Sequence, residues 1–135
     1  MAKPEFFRTP GYGESAFQDA HYSQAVKVGN LVETSGQGGW DDNGEFPASM
    51  SIADEIAQAF RNVGRTLATA GAGWEHVIAV KSYHVPLDDE AMEVMINQFR
   101  HHMPNHGTTW TCLGVVGLAY PQMRVEIRAT AIIPE

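Results

Sequence analysis

The chain has 135 residues, enough for one hydrophobic core and too few for two. Hydrophobic residues make up 44% and charged residues 19%, a balance that excludes a disordered chain. Lys and Arg total 9 against 16 Asp and Glu; the net charge of −7 disfavours nucleic acid as a partner, because phosphate neutralisation needs a basic face.

No apolar run approaches the roughly 20 residues of a membrane helix, so no membrane partner is expected. Residues Met1–Glu5 lack the apolar stretch of a secretory signal. Cys112 is the single cysteine, so no internal disulfide can form. These features predict a cytoplasmic protein in a reducing compartment.

Residues 1–20 read as an irregular arm, punctuated by Pro4, Pro10, Gly11 and Gly13. Tyr22–Val28 and Leu31–Ser35 read as two strands joined at Gly29-Asn30, a hairpin. A glycine-rich loop follows, from Gly36 to Pro47. Over 51–70, Ile52, Ile56, Phe60, Val63, Leu67 and Ala70 form one apolar stripe at helical spacing. Ser51 followed by Asp54 resembles a capping box. His76–His84 predicts a strand. Asp88 and Asp89 then open a second helix, with Met92, Met95, Ile96, Phe99 and Met103 as its stripe and Pro104 as its stop. Thr108–Val116 and Met123–Ile133 predict the last strands. This order gives an α+β fold, a sheet with two helices on one face, in a single domain over 1–135. The other sheet face is left without cover, which predicts oligomerisation.

Few residues carry a chemical motif. His101, His102 and His106 cluster, but Pro104 breaks the helix that would align them and no Cys or carboxylate completes a metal set. They read as a solvated helix end, and His21, His76 and His84 read as structural. Gly36-Gln37-Gly38-Gly39 lacks the Lys-Ser/Thr of a phosphate loop and reads as a flexible loop. Ser35 lies in no nucleophile elbow. Cys112 reads as a small buried hydrophobe, with a nucleophile as the alternative. In Arg124-Val125-Glu126-Ile127-Arg128, strand alternation puts Glu126 on one face with both arginines. That is either an ion-pair ladder or an acid/base held by cations.

Tyr22-Ser23-Gln24-Ala25-Val26, Gly29-Asn30-Leu31-Val32 and Ser35-Gly36-Gln37 resemble the N-terminal signature of the Rid (YjgF-like) family of enamine/imine deaminases. Arg124-Val125-Glu126-Ile127, with Ala129 and Ala131, resembles that family's closing strand. The resemblance starts near residue 20 and runs to 135, and two end motifs at the right separation make it specific.

The resemblance implies a chorismate-mutase-like fold and a homotrimer with three clefts between subunits. It implies hydrolysis of reactive imines or enamines to a carbonyl and ammonia, on a small-molecule ligand, without metal or organic cofactor. Carried over by position, Glu126 is the catalytic glutamate and Tyr22 the pocket tyrosine. Ser35 and Gly36 form the pocket turn, and Cys112 is a pocket-side cysteine. The family's substrate-binding arginine falls on Trp110, and a pocket asparagine falls on Glu93. One extra residue lies between Leu118 and Glu126. Arg124 or a histidine of the 101–106 cluster is the candidate replacement cation. Altered substrate choice is therefore expected, with a non-catalytic metabolite-binding or regulatory protein as the alternative and an endoribonuclease as the third reading.

Overall fold

The structure is a computed structural model, and it describes residues 2–135. Its elements, in chain order, are β1 (Glu5–Phe7), α1 (Tyr12–Ala20), β2 (Ala25–Val28), β3 (Leu31–Thr34) and α2 (Ile52–Thr69). A 3-10 turn (Trp74–His76), β4 (Val77–His84), α3 (Asp89–His102), β5 (Thr109–Gly114) and β6 (Val125–Ile132) follow. The strands form one sheet in the order β1-β2-β3-β6-β4-β5. All neighbours are antiparallel except β4 and β5, which run parallel. A parallel pair needs a crossover, and α3 is that crossover.

The apolar stripe of α2 places Ile56, Phe60, Val63 and Leu67 in full burial. They pack on Val32, Val80, Val125, Ile127, Ala129 and Ala131 of the sheet, with Met95 of α3 closing the layer. Truncating a side chain such as Phe60 in this layer would cost about 3–5 kcal/mol. Both helix starts are capped as their sequences predict: Ser51 Oγ accepts from the Asp54 N–H at 3.0 Å, and an Asp88 carboxylate oxygen accepts from the Ala91 N–H at 2.9 Å.

The segment expected to be an irregular arm instead carries a strand and a helix, which makes three α-helices among the described residues. β1 pairs with β2, Phe6 opposite Val26. Gly13 lies inside α1 for reasons of contact, since a Cβ there would collide with the Gln24 side chain and stand 2.7 Å from Thr9 Oγ1. α1 is anchored by Tyr12, whose ring stacks on Trp40 at 4.2 Å.

In β6, buried and half-buried residues alternate. Val125, Ile127, Ala129 and Ala131 face the helices, so Glu126, Arg128 and Thr130 face the other side of the sheet. The register adds Tyr83, Lys81 and Glu33 to that side. Neither α2 nor α3 packs there, and exposed Phe6, Val28, Leu31 and Ile132 stand on it. The predicted uncovered face is present.

Candidate functional site

Glu126 lies where the loop after β3 returns to the sheet. Gln37 donates its N–H to the Ile127 carbonyl at 2.8 Å and accepts from the Ile127 N–H at 2.9 Å. The Ser35 N–H donates to the Gln24 carbonyl at 2.7 Å. These bonds hold Gly36 directly against the Glu126 carboxylate; a Cβ at 36 would stand 2.5 Å from Oε2. Glycine is therefore needed at 36 so that the carboxylate can rest on the turn. The glycine-rich loop is not a flexible tether. Gln37 is buried and Asn62 donates to the carbonyls of Gly38 and Trp40, both at 2.8 Å.

The expected ion-pair ladder around Glu126 does not form, because each flanking arginine has a carboxylate of its own. Arg124 precedes β6 and turns toward the start of α2. Its Nε donates to Glu55 Oε1 at 2.8 Å, its backbone N–H to Glu55 Oε2 at 2.7 Å, and a terminal nitrogen to the Met50 carbonyl at 2.7 Å. Arg124 thus leaves the face it was expected to share with Glu126. Arg128 keeps that face and pairs with Glu33 at 2.9 Å. Among the described residues, the Glu126 carboxylate has no ion pair and no hydrogen bond. Burial pushes its carboxyl above the usual carboxylate range. A half-buried carboxyl without a partner, held on a glycine turn, is equipped to take up and return a proton.

The other candidates fall in separate places within one protomer. Trp110 and Cys112 face the helices, the side of the sheet opposite Glu126. The Trp110 indole N–H donates to Ser82 Oγ at 2.9 Å and its ring meets Phe99 edge-on at 4.9 Å. The Cys112 thiol lies 3.5 Å from the Met92 sulfur, and the residue is half-buried, not the fully buried hydrophobe its sequence suggests. Glu93 is exposed on α3. The Tyr22 hydroxyl lies 3.3 Å from that of Tyr12 and makes no hydrogen bond to Glu126 among the described residues. Ser35, Gly36 and Glu126 are the part of the expected site that one protomer brings together.

The histidines have structural partners. His102 stacks on Phe60 at 5.4 Å and hydrogen-bonds Gln98, so it closes the core and is not a purely solvated residue. His106 Nε2 lies 2.8 Å from the Val77 carbonyl. His84 is fully buried, with Nε2 2.9 Å from Ser82 Oγ, and burial lowers its pKa.

Sequence reasoning missed Glu55, the buried carboxylate that anchors Arg124. It also missed Ser82, which ties Trp110 to His84. Glu55 lies in the helix-start position where carboxylates are common on the surface, and nothing local marks it as buried. Ser82 follows the β4 alternation, which places it on the core face; a buried hydroxyl there needs partners.

A family profile described as Endoribonuclease L-PSP matches residues 14–133. The chain is 29% identical over 126 residues to the RutC family protein YjgH of Escherichia coli, covering 93% of each. It is 33% identical over 114 residues to a 2-iminobutanoate/2-iminopropanoate deaminase of Dermatophagoides farinae, covering 83% of this chain and 85% of that one. Among solved structures, protein YjgH superposes with a TM-score of 0.79 at 29% identity, covering 96% of this chain and 95% of that one. Escherichia coli TdcF with bound serine superposes with a TM-score of 0.77 at 28% identity, covering 96% and 97%. The carboxyl on its glycine turn and the two end motifs are thus features of a chain that belongs to the Endoribonuclease L-PSP family, the YjgF/Rid family.

Proposed function

We propose that this protein is an imine or enamine hydrolase of the deaminase type, acting on a small metabolite, with Glu126 as its acid/base. The supporting observation is the Glu126 carboxyl: half-buried, without a partner, and raised above its usual range beside Gly36. In its ionised form it takes a proton from water as the water oxygen bonds to the imine carbon. The proton goes on to nitrogen, and the resulting carbinolamine collapses to a carbonyl with loss of ammonia. A carboxyl with a raised pKa suits both halves of this transfer. Ser35 and Gly36 form the floor of the site.

Trp110, Cys112, Tyr22 and Glu93 join the site through a neighbouring protomer of a trimer. Trp110 and Cys112 lie on β5, the edge strand, where a second protomer can reach them. Trp110 in place of an arginine removes a cation that would hold a substrate carboxylate. Losing one such charge-assisted contact costs about 1.5–3 kcal/mol, or about 10–150-fold. The preferred substrate is then an imine without a carboxylate. RNA cleavage, which the family description mentions, is disfavoured by the net charge of −7.

Ammonia release from enzymatically generated imines tests this. Release should be faster from a carboxylate-free imine than from 2-iminopropanoate. Glu126→Gln should lower it about 10²–10⁴-fold. Gly36→Ala should also lower it while leaving the fold intact, since the added methyl displaces the end of a flexible side chain. Wild-type release by Glu126→Gln would overturn Glu126 as the acid/base, and no release above the uncatalysed rate by the wild type would end the hydrolase reading and favour a metabolite-binding role.

A further inference from the structure

A concave feature that Glu126 does not line lies where α1 meets two loops. It is a cleft of about 180 Å³, lined by Tyr12, Ser15, Asp19, Tyr22, Asn43 and Tyr120, among others. The Tyr12 hydroxyl stands at its centre, 3.3 Å from the Tyr22 hydroxyl and 3.4 Å from that of Tyr120. Trp40 fixes this arrangement: Tyr12 stacks on it at 4.2 Å and Tyr120 meets it edge-on at 6.3 Å.

The hydrogen-bond balance of the cleft is uneven. Each phenol has one donor and two acceptor sites. The two contacts among the three hydroxyls use two hydrogens and two acceptor sites. One hydrogen and four acceptor sites remain. Burial and its hydroxyl neighbours hold the Tyr12 phenol far above its ordinary range, so it stays protonated. The negative charge comes from Asp19, exposed in the last turn of α1, a turn that carries no basic residue. The carbonyl end of a helix adds to that potential. No Lys or Arg lines the cleft. The two arginines nearest in sequence are engaged elsewhere: Arg8 lies over the Phe17 ring at 4.0 Å, and Arg124 pairs with Glu55.

We propose that this cleft binds a small primary ammonium cation, its N–H groups shared between Asp19 and the tyrosine hydroxyls. Three ammonium hydrogens suit a site rich in acceptors and poor in donors. The volume accommodates a ligand of several non-hydrogen atoms. The site shares Tyr22 with the proposed hydrolase site but needs nothing from Glu126.

Titration of the ¹⁵N-labelled protein with n-propylammonium chloride tests the proposal, with sodium propanoate and 1-propanol as controls. The ammonium should bind with a Kd on the order of 1 mM and shift amides of α1 and of the loops around Asn43 and Tyr120. Asp19→Asn should weaken binding at least about 5-fold, and Tyr12→Phe, which keeps the ring on Trp40, should weaken it as well. Glu126→Gln should bind like the wild type, which separates this result from the fate of the hydrolase reading. Equal binding of 1-propanol, unchanged affinity in Asp19→Asn, or shifts confined to other regions would overturn it.

Discussion

Glu126 is costly to the fold because it is ionisable without a partner. Its folded pKa lies above its unfolded value, and the cause is burial. Between those two values the folded state holds a proton that the unfolded state has released. The slope of stability with pH is then negative, so stability falls as pH rises through that window. Below the window both states are protonated and the penalty vanishes. Glu126→Gln removes the titration. It should therefore raise Tm at neutral pH by on the order of a few degrees, with the gain disappearing below the ordinary carboxylate range. Thermal melts of both proteins across acidic and neutral pH check this. A variant no more stable than the wild type at pH 7 would mean that Glu126 is satisfied in solution. Catalysis has the opposite dependence: the base form is needed, so activity falls as pH drops through the raised value. A stabilising substitution that abolishes turnover is the signature of a residue retained for chemistry.

At the scale of elements, the chain shows where local signals suffice. α2 was legible because its apolar stripe, its Ser51 cap and its length all agree. α3 was legible from Asp88 and the methionine stripe. α1 was not. Pro10, Gly11 and Gly13 read as punctuation, yet Gly13 serves the close approach of Gln24 and the helix is held by Tyr12 on Trp40, a contact across 28 positions of sequence. Glu126 could be singled out from its strand, and the register kept it on the helix-free face. The path of Arg124 could not be foreseen, because its partner Glu55 lies 69 residues away. That pair makes an asymmetric prediction. Arg124→Ala leaves the Glu55 carboxylate buried with one backbone N–H for company, and should cost about 3 kcal/mol. Glu55→Gln removes the buried charge and leaves a half-exposed arginine that water can serve, so it should cost about 1 kcal/mol. Urea denaturation of the two variants decides. Equal losses would show that the pair acts as an ordinary surface bridge.

For the whole molecule, the decisive feature is the face that α2 and α3 do not cover. Its centre is polar, with Glu33, Arg128, Thr130, Lys81 and Glu126, and its margin is apolar. Phe6 is 67% exposed there, and Val28, Leu31 and Ile132 line up across three strands. Such a band on a single chain has no use in water, whereas a second layer of sheet would bury it. We therefore expect a trimer with the polar centre enclosed and Glu126 at the seams, where a neighbour's β5 edge can supply Trp110 and Cys112. Leu31 tests this well, because it stands opposite Ile132 in the register and is no part of the protomer's core. Leu31→Glu should leave the circular dichroism unchanged and place a charge in the contact. Dissociation should become at least about 100-fold more favourable, equivalent to about 2.7 kcal/mol. Light scattering should give three chain masses for the wild type and one for the variant at micromolar concentration. Ammonia release should fall with the mass, because the separated protomer keeps Glu126 but loses the side chains that face it. A wild-type mass of one chain would refute the trimer, and full activity in a monomeric Leu31→Glu would show that the site is complete within one protomer.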